Sequence, residues 1–262
     1  MQYKKNTFKK NIIVLADTTS IYSIKMLYEL INQKFFNIKH IFFSNSSSKK
    51  NITNIINDFS YKVTYTKVRK LKSYKLIINL VKDNDINLCI STSFPYKIDQ
   101  SFLSLFKIGV INFHPSALPK NRGSHHSFWG IYNNTNHGCT MHLMTNELDK
   151  GPIIDQCIYK NNLSITAEEV FKKSHNLMTF LLKRNLKKLY FNNFKVKKNT
   201  RLKSSFHNKG MINKKINLNI SGLIKVSDLW KIIRGTRIDE HGFYINIKNK
   251  KYKIISEIKK IK

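Results

Sequence analysis

The sequence predicts an α/β fold: a mostly parallel sheet with flanking helices, plus a small C-terminal β-containing unit. Three observations predict it. Short apolar runs alternate with stretches of helical periodicity, which is the pattern of strands crossing over through helices. At 262 residues, 41% of them apolar, the chain can bury the core of one sizeable α/β domain and still carry an appendage. From about residue 192 to 222 the pattern dissolves into Lys, Asn and Ser and then recovers. This divides the chain into a domain over 1–192, a linker or irregular segment over 193–221, and a small unit over 222–262.

The elements follow in order. "NIIVLA" (11–16) and "IKHIFFS" (38–44) read as buried strands. Between them Ile21, Ile24, Met26, Leu27, Leu30 and Ile31 form one helical stripe. "KVTYT" (62–66) is a third strand, and "SYKLIINLVKD" (73–83) a helix. "INLCIS" (86–91) and "GVINFH" (109–114) are strands separated by "KIDQSFLSLF", which suits a short helix. After a proline-fixed loop, "HSFWGIYNN" reads as a helix, and "GCTMHLMT" (138–145) and "GPIIDQCIYK" (151–160) as neighbouring strands. A long helix begins near "SITAEE", where Ser164 or Thr166 can cap and Glu168 or Glu169 can close a capping box. "VSDLWKIIRG" is a helix, and "GFYINIKNKKYKII" a hairpin-like pair turning at Lys248–Lys250.

The net charge of +32 resembles the footprint of a nucleic-acid binder. Of the 47 basic residues, however, only six are Arg (Arg69, Arg122, Arg184, Arg201, Arg234, Arg237), the residue bidentate readout favours. Lys, Asn and Ile share A/T-rich codons, so codon drift gives the same charge without any anionic partner. Nucleic acid is therefore not expected as a partner. Cys89, Cys139 and Cys157 lie in apolar runs with no CxxC spacing, which fits a reducing cytoplasm and indicates neither a zinc site nor a disulfide framework. The basic start "MQYKKNTFKKNIIVLAD" has an apolar run shorter than the roughly 7–15 residues of a signal sequence or the about 20 of a membrane span, so no membrane role is expected.

After the first strand the chain reads "ADTTS", without the glycines a dinucleotide pyrophosphate requires. There is no Walker loop, HExxH or GxSxG. Ligands in open parallel sheets gather at the carboxyl ends of strands. Three such ends stand out: "TSFPYKID" (92–99), "NFHPSALPKNRG" (112–123) and "TNELDKGPI" (145–153). Asn112 and His114, two apart on a strand, share a face, and Asp149 can converge on them. An amine attacking a formyl or acyl carbon needs an oxyanion donor, which Asn112 supplies. It also needs a proton acceptor, His114, and a carboxylate to orient it, Asp149. No serine or cysteine is placed for a covalent intermediate, so direct transfer follows. The bland readings are a satisfied strand-end histidine and an aspartate that opens a turn before Gly151–Pro152. His125, His126, His137 and His142 lack the spacing of a metal ligand set, and no metal is expected. Phe128 and Trp129 read as core or as a pocket wall.

"INFHPSALPKNRG" followed by "HHSFWGIYNNTNHGCTMHLMTNELDKGPIIDQ" resembles the 10-formyltetrahydrofolate-dependent formyltransferases. Their pattern Asn-x-His-Pro-Ser-x-Leu-Pro-x-x-Arg-Gly, then Gly-x-Thr-x-His, then Asp-x-Gly-x-Ile is present in order, strongly over residues 86–160. The resemblance implies a Rossmann-like sheet and assigns Asn112, His114 and Asp149 to the family's catalytic positions. It implies 10-formyltetrahydrofolate as co-substrate, contacted at Ser93, Phe94, Tyr96, Leu118 and Asp149. Acceptor contacts fall on Arg122, His125, His126 and Trp129.

The acceptor it favours is the amine of a nucleotide-linked amino-deoxy sugar, of the kind used for surface polysaccharide such as lipopolysaccharide or O-antigen. "RGSHHSFWGI" and the short C-terminal unit look similar to that branch. Methionyl-tRNA formyltransferases are an alternative, but they carry a basic insertion after the second strand and a larger C-terminal barrel. Glycinamide ribonucleotide formyltransferases are another, but they normally show a glycine-rich loop where this chain has "ADTTS". A rival of a different class is a non-catalytic RNA-binding protein on the same scaffold, which a steep salt dependence of weak RNA binding would test. The C-terminal unit could supply the contact of a twofold homodimer.

Overall fold

The computed structural model describes residues 9–72, 74–198, 204–219, 221–236, 242–247, 250–256 and 258. The elements run β1 (Lys10–Ala16), α1 (Ile21–Ile31), β2 (Phe36–Ser44), α2 (Lys49–Asn57), β3 (Thr64–Val68), α3 (Lys75–Asp83), β4 (Leu88–Thr92), α4 (Gln100–Leu103) and β5 (Gly109–His114). They continue with β6 (Arg122–Gly123), α5 (His126–Tyr132), β7 (His137–Leu143), β8 (Ile153–Tyr159), α6 (Ala167–Tyr190), β9 (Phe206–His207), α7 (Asn213–Ile216), β10 (Asn217–Asn219), α8 (Val226–Gly235), β11 (Phe243–Ile247) and β12 (Lys250–Ile254).

The α/β expectation is met. A seven-stranded sheet has the order β3-β2-β1-β4-β5-β7-β8, and its pairs from β3 to β5 are parallel. β1 and β4 are buried throughout or nearly so, as strands covered on both faces must be. The chain winds outward from β1 to β3 and then returns to β4, which creates a switch point beyond the carboxyl ends of the central strands.

Two compact units emerge: Met1–His114 with Met141–Asp155 and Met178–Asn199, and Pro115–Thr140 with Gln156–Leu177 and Thr200–Lys262. In the first, Ile13, Leu15, Cys89 and Val110 pack with Phe102, Phe106 and Ile77. In the second, Phe128, Trp129, Ile216, Ile232 and Phe243 form a core beside β10-β11-β12. There Arg234 is buried and donates to the carbonyls of Asn162 and Ile165 at 2.8 and 3.0 Å. A buried guanidinium demands such acceptors.

The structure refines several expectations. Of the two caps offered for α6, Thr166 is used: its Oγ1 accepts from the Glu169 N–H at 3.3 Å, and Glu169 accepts from the Thr166 N–H at 2.7 Å. α2 was not anticipated, because only a few isoleucines mark it. Ser48 starts it by accepting from the Asn51 N–H at 3.1 Å, and Ile52 and Ile55 are buried. The segment expected as linker, 193–221, carries β9, α7 and β10, and Ile216 in it is buried; residues 199–203 and 220 lie outside the described residues. β11 and β12 pair antiparallel as the hairpin reading expects, while Lys248 and Asn249 of its turn lie outside the described residues. Among the described residues no helix is long and apolar enough to cross a membrane.

Candidate active site

β5 ends in the stretch that singled itself out in the sequence. Its pleat puts Ile111 and Phe113 on one face and Val110, Asn112 and His114 on the other, so the two polar residues share a face at the carboxyl end. The proline at 115 has no N–H with which to continue the ladder.

The third participant arrives from the connection between β7 and β8. The Met144 N–H donates to the Val110 carbonyl at 2.7 Å, which ties the start of this connection to β5. The Leu143 N–H donates to the Pro152 carbonyl at 3.0 Å, which closes its base. Gly151 packs against the Leu143 carbonyl so closely that a Cβ would overlap its oxygen. Within this tight return Asp149 takes a left-handed backbone, φ 52°, a region Asp tolerates better than most residues.

The result is a buried cluster. His114 Nδ1 lies 3.4 Å from Asp149 Oδ2, and both side chains are more than nine-tenths buried. His142, from β7, joins them: its Nε2 is 3.7 Å from Asp149 Oδ1 and 3.3 Å from Asn112 Nδ2. His142 Nδ1 lies 2.9 Å from the Leu143 carbonyl, which can only accept, so Nδ1 carries the proton. Burial holds the His142 imidazole below the ordinary histidine value, outweighing the pull of Asp149. A neutral ring with its proton on Nδ1 presents a lone pair at Nε2. That lone pair accepts from the Asn112 amide and fixes which way the amide points. Its NH₂ group has a second hydrogen for another acceptor.

Sequence reasoning matched His142 to the motif Gly-x-Thr-x-His but gave it no role. The available signal was its place two residues after Thr140 on an alternating strand. The neighbouring hollow is lined by Lys97, Ile98, His142, Met144, Asn146 and Asp149.

The other expected contacts are distributed as follows. Ser93, at the end of β4, has a left-handed backbone, φ 67°, and Phe94 and Tyr96 meet edge to face at 5.4 Å. All three are partly buried in the first unit. Leu118, Arg122, His125, His126 and Trp129 belong to the second unit. The Leu118 N–H donates to Thr140 Oγ1 at 3.1 Å, and its carbonyl accepts from Gln156 at 2.8 Å. His125 and His126 line a hollow of about 490 Å³ with Phe171, Thr236, Tyr244 and Lys253. Arg122 lies over the Phe206 ring at 5.5 Å. Trp129 is buried and stacks on His207 with ring centroids 4.0 Å apart, as core rather than as open wall.

The end of β1, where a phosphate-binding loop would sit, is filled by the chain itself. Asp17 is buried, and its carboxylate accepts from the Thr19 N–H at 2.9 Å, the Thr19 hydroxyl at 2.8 Å and Ser46 at 3.2 Å. A buried carboxylate repels a phosphate, so this strand end is no anion cradle. Among the described residues no group of three or more His, Cys, Asp or Glu could hold a metal ion.

A methionyl-tRNA formyltransferase from Borrelia duttonii is 33% identical over 121 residues, 45% of this chain and 39% of that protein. The chain thus matches less than half the length of that relative. In fold, it is similar to a sugar N-formyltransferase from Shewanella, with a TM-score of 0.79, 18% identity, and 97% and 99% of the two chains covered. It is also similar to an N-formyltransferase from Helicobacter canadensis solved with folinic acid and dTDP-3-aminofucose, with a TM-score of 0.69, 22% identity, and 95% and 87% covered. A family model described as formyl transferase matches residues 10–184, well over half of the sequence and all of the site from Asn112 to Asp149. The chain belongs to the formyl transferase family.

Proposed function

We propose that the protein transfers the formyl group of 10-formyltetrahydrofolate to the primary amine of a nucleotide-linked amino-deoxy sugar. The observation that carries the reading is the buried cluster of Asn112, His114, His142 and Asp149 at the carboxyl end of β5. When bound, the folate supplies the activated formyl group. The chain's own residues do the rest. Asn112 donates to the oxygen that gains charge as the amine attacks the formyl carbon. Asp149 holds the proton of His114 on Nδ1 and so keeps the other nitrogen a base, which takes the proton the amine loses. That proton is returned to the folate nitrogen as its bond to carbon breaks. Ser93, Phe94, Tyr96, Leu118 and Asp149 are the proposed folate contacts.

Arg122, His125 and His126 are the proposed acceptor contacts, while Trp129, expected among them, is buried as core. The 490 Å³ hollow beside His125 and His126 falls within the roughly 300–1,000 Å³ typical of small-molecule sites. Two features support the amino-sugar acceptor: likeness in fold along nearly the whole chain, and the closed end of β1, which disfavours a phosphate-bearing purine precursor there. Transfer to methionyl-tRNA is the second reading, favoured by the curated relative matched at 33% identity.

The test is tetrahydrofolate release from 10-formyltetrahydrofolate with a panel of acceptors: dTDP-, GDP- and UDP-linked amino sugars, charged initiator tRNA and glycinamide ribonucleotide. Release with an amino-sugar nucleotide supports the reading, and release with tRNA alone replaces it by the second.

A further inference from the structure

In the parallel pair β2-β3, His40 lies opposite Thr64, Phe42 opposite Thr66 and Ser44 opposite Val68, so these six residues share one face of the sheet. Between that face and α3 lies a hollow of about 460 Å³, whose lining includes His40, Phe42, Val68, Leu76, Ile77 and Leu80. Its volume falls within the roughly 300–1,000 Å³ typical of small-molecule sites. It belongs to the first unit and shares no lining residue with the hollow beside Asp149. The walls are mostly apolar, and the ring of Phe42 stands 4.4 Å from that of His40.

His40, more than nine-tenths buried, decides the chemistry of what fits there. The Thr64 hydroxyl has one hydrogen and donates it to the Lys39 carbonyl at 3.2 Å. Toward His40 Nδ1, 2.7 Å away, it can then only accept, so the ring carries its proton on Nδ1 and keeps a lone pair on Nε2. Burial pushes the imidazole from 6.5 down to about 4, which leaves the ring neutral near pH 7. Nε2 is buried with no hydrogen-bond partner among the described residues, a costly state that a donor would relieve. A strand added to the sheet cannot supply that donor. β3 is the edge, β2 lies one strand further in, and an added backbone runs in the plane of the sheet rather than over the His40 ring. We propose that this hollow is a second small-molecule site, for a neutral aromatic compound with one N–H or O–H, of the indole or phenol class, whose hydrogen His40 Nε2 accepts. The Phe42 ring gives the ligand an aromatic neighbour beside that acceptor.

The probes are indole and benzofuran, which has the same two-ring frame with an oxygen in place of the N–H. Each is titrated into the isotope-labelled full chain and followed by amide chemical shifts in NMR. Indole is expected to shift the amides of β2, β3 and α3, and to bind about tenfold tighter than benzofuran, since a buried acceptor left unpaired penalises the analogue without a donor. His40→Phe keeps a ring and removes the acceptor, and the preference disappears. Leu76→Arg, at a wall position that is 83% exposed, weakens both probes and keeps the test open if His40→Phe disturbs the fold. Saturating 5-formyltetrahydrofolate leaves indole in place. Equal affinities for the two probes overturn the proposal, as does a preference that survives His40→Phe. Shifts centred on the Asp149 loop or on the second unit, or displacement of indole by the folate, place the probe elsewhere and overturn it too. So does an absence of shifts up to the solubility limit of indole.

Discussion

His114 Nδ1 and Asp149 Oδ2 stand 3.4 Å apart with both side chains withdrawn from water. In so dry a setting the carboxylate and the ring proton attract more strongly than they would in solvent. In the proposed mechanism the pair leaves the second nitrogen of His114 as the base. Asp149→Asn keeps the size and removes the charge, and is expected to lower kcat by about 10²–10⁴-fold. An unchanged kcat in a formyl-transfer assay removes Asp149 from the mechanism.

Asn112 is the oxyanion donor in this scheme, and its replacement by Ala is expected to cost about 10²–10³-fold in kcat. His142 acts through it by accepting from its amide. His142→Leu deletes that acceptor and is expected to lower kcat by about tenfold, less than the loss of Asn112 itself. His142→Gln, which offers an amide oxygen, restores part of the rate. Because burial keeps His142 neutral, the acid limb of the rate profile stays in place in both variants. A shift of that limb shows that His142 itself exchanges the proton.

Gly151 supports the site without touching it. A Cβ there would overlap the Leu143 carbonyl and force open the return that carries Asp149. Gly151→Ala is expected to reduce kcat by up to about 10²-fold, the scale of a misplaced catalytic group. Kinetics read together with thermal unfolding check this, since the rate falls more than the stability.

Outside the site, His40 on β2 predicts an acid-sensitive fold. Its Nδ1 donates to Thr64 Oγ1 at 2.7 Å, and Thr64 in turn donates to the Lys39 carbonyl at 3.2 Å. Its Nε2 is buried with no hydrogen-bond partner among the described residues. Burial pushes its imidazole from 6.5 down to about 4. Between those values the unfolded chain holds a proton that the folded chain refuses, so stability declines as pH falls from about 6.5 to about 4. The loss amounts to as much as about 3 kcal/mol. Urea unfolding at pH 7.5 and 4.5 is expected to show a smaller difference for His40→Phe than for the wild type. Equal slopes count against it.

Much of this site is legible in the chain because its signals are local. Asn112 and His114 are two residues apart on a strand, so a period of two puts them on one face whatever the strand packs against. The proline after them marks where β5 stops, and Gly151–Pro152 marks the return into β8. β1 and β4 carry apolar runs, and α6 announces its start through Thr166 and Glu169. α2 has a weak signal because its buried side consists of little more than Ile52 and Ile55. β9 and β10 have none because runs of two and three residues carry no period to read.

The sequence by itself determined the kinds of elements, their order, and the residues able to move a proton or steady an oxyanion. Periodicity and turn chemistry act over a few residues, and such patterns survive in a linear reading. The tertiary structure alone decided that β7 lies beside β5, which sets His142 against Asn112 across 30 residues of chain. It alone gathered His40 and Phe42 of β2 with Ile77 and Leu80 of α3 around one hollow. Strand order and burial arise from contacts between distant segments. They choose the neutral state of His142, which no local pattern encodes.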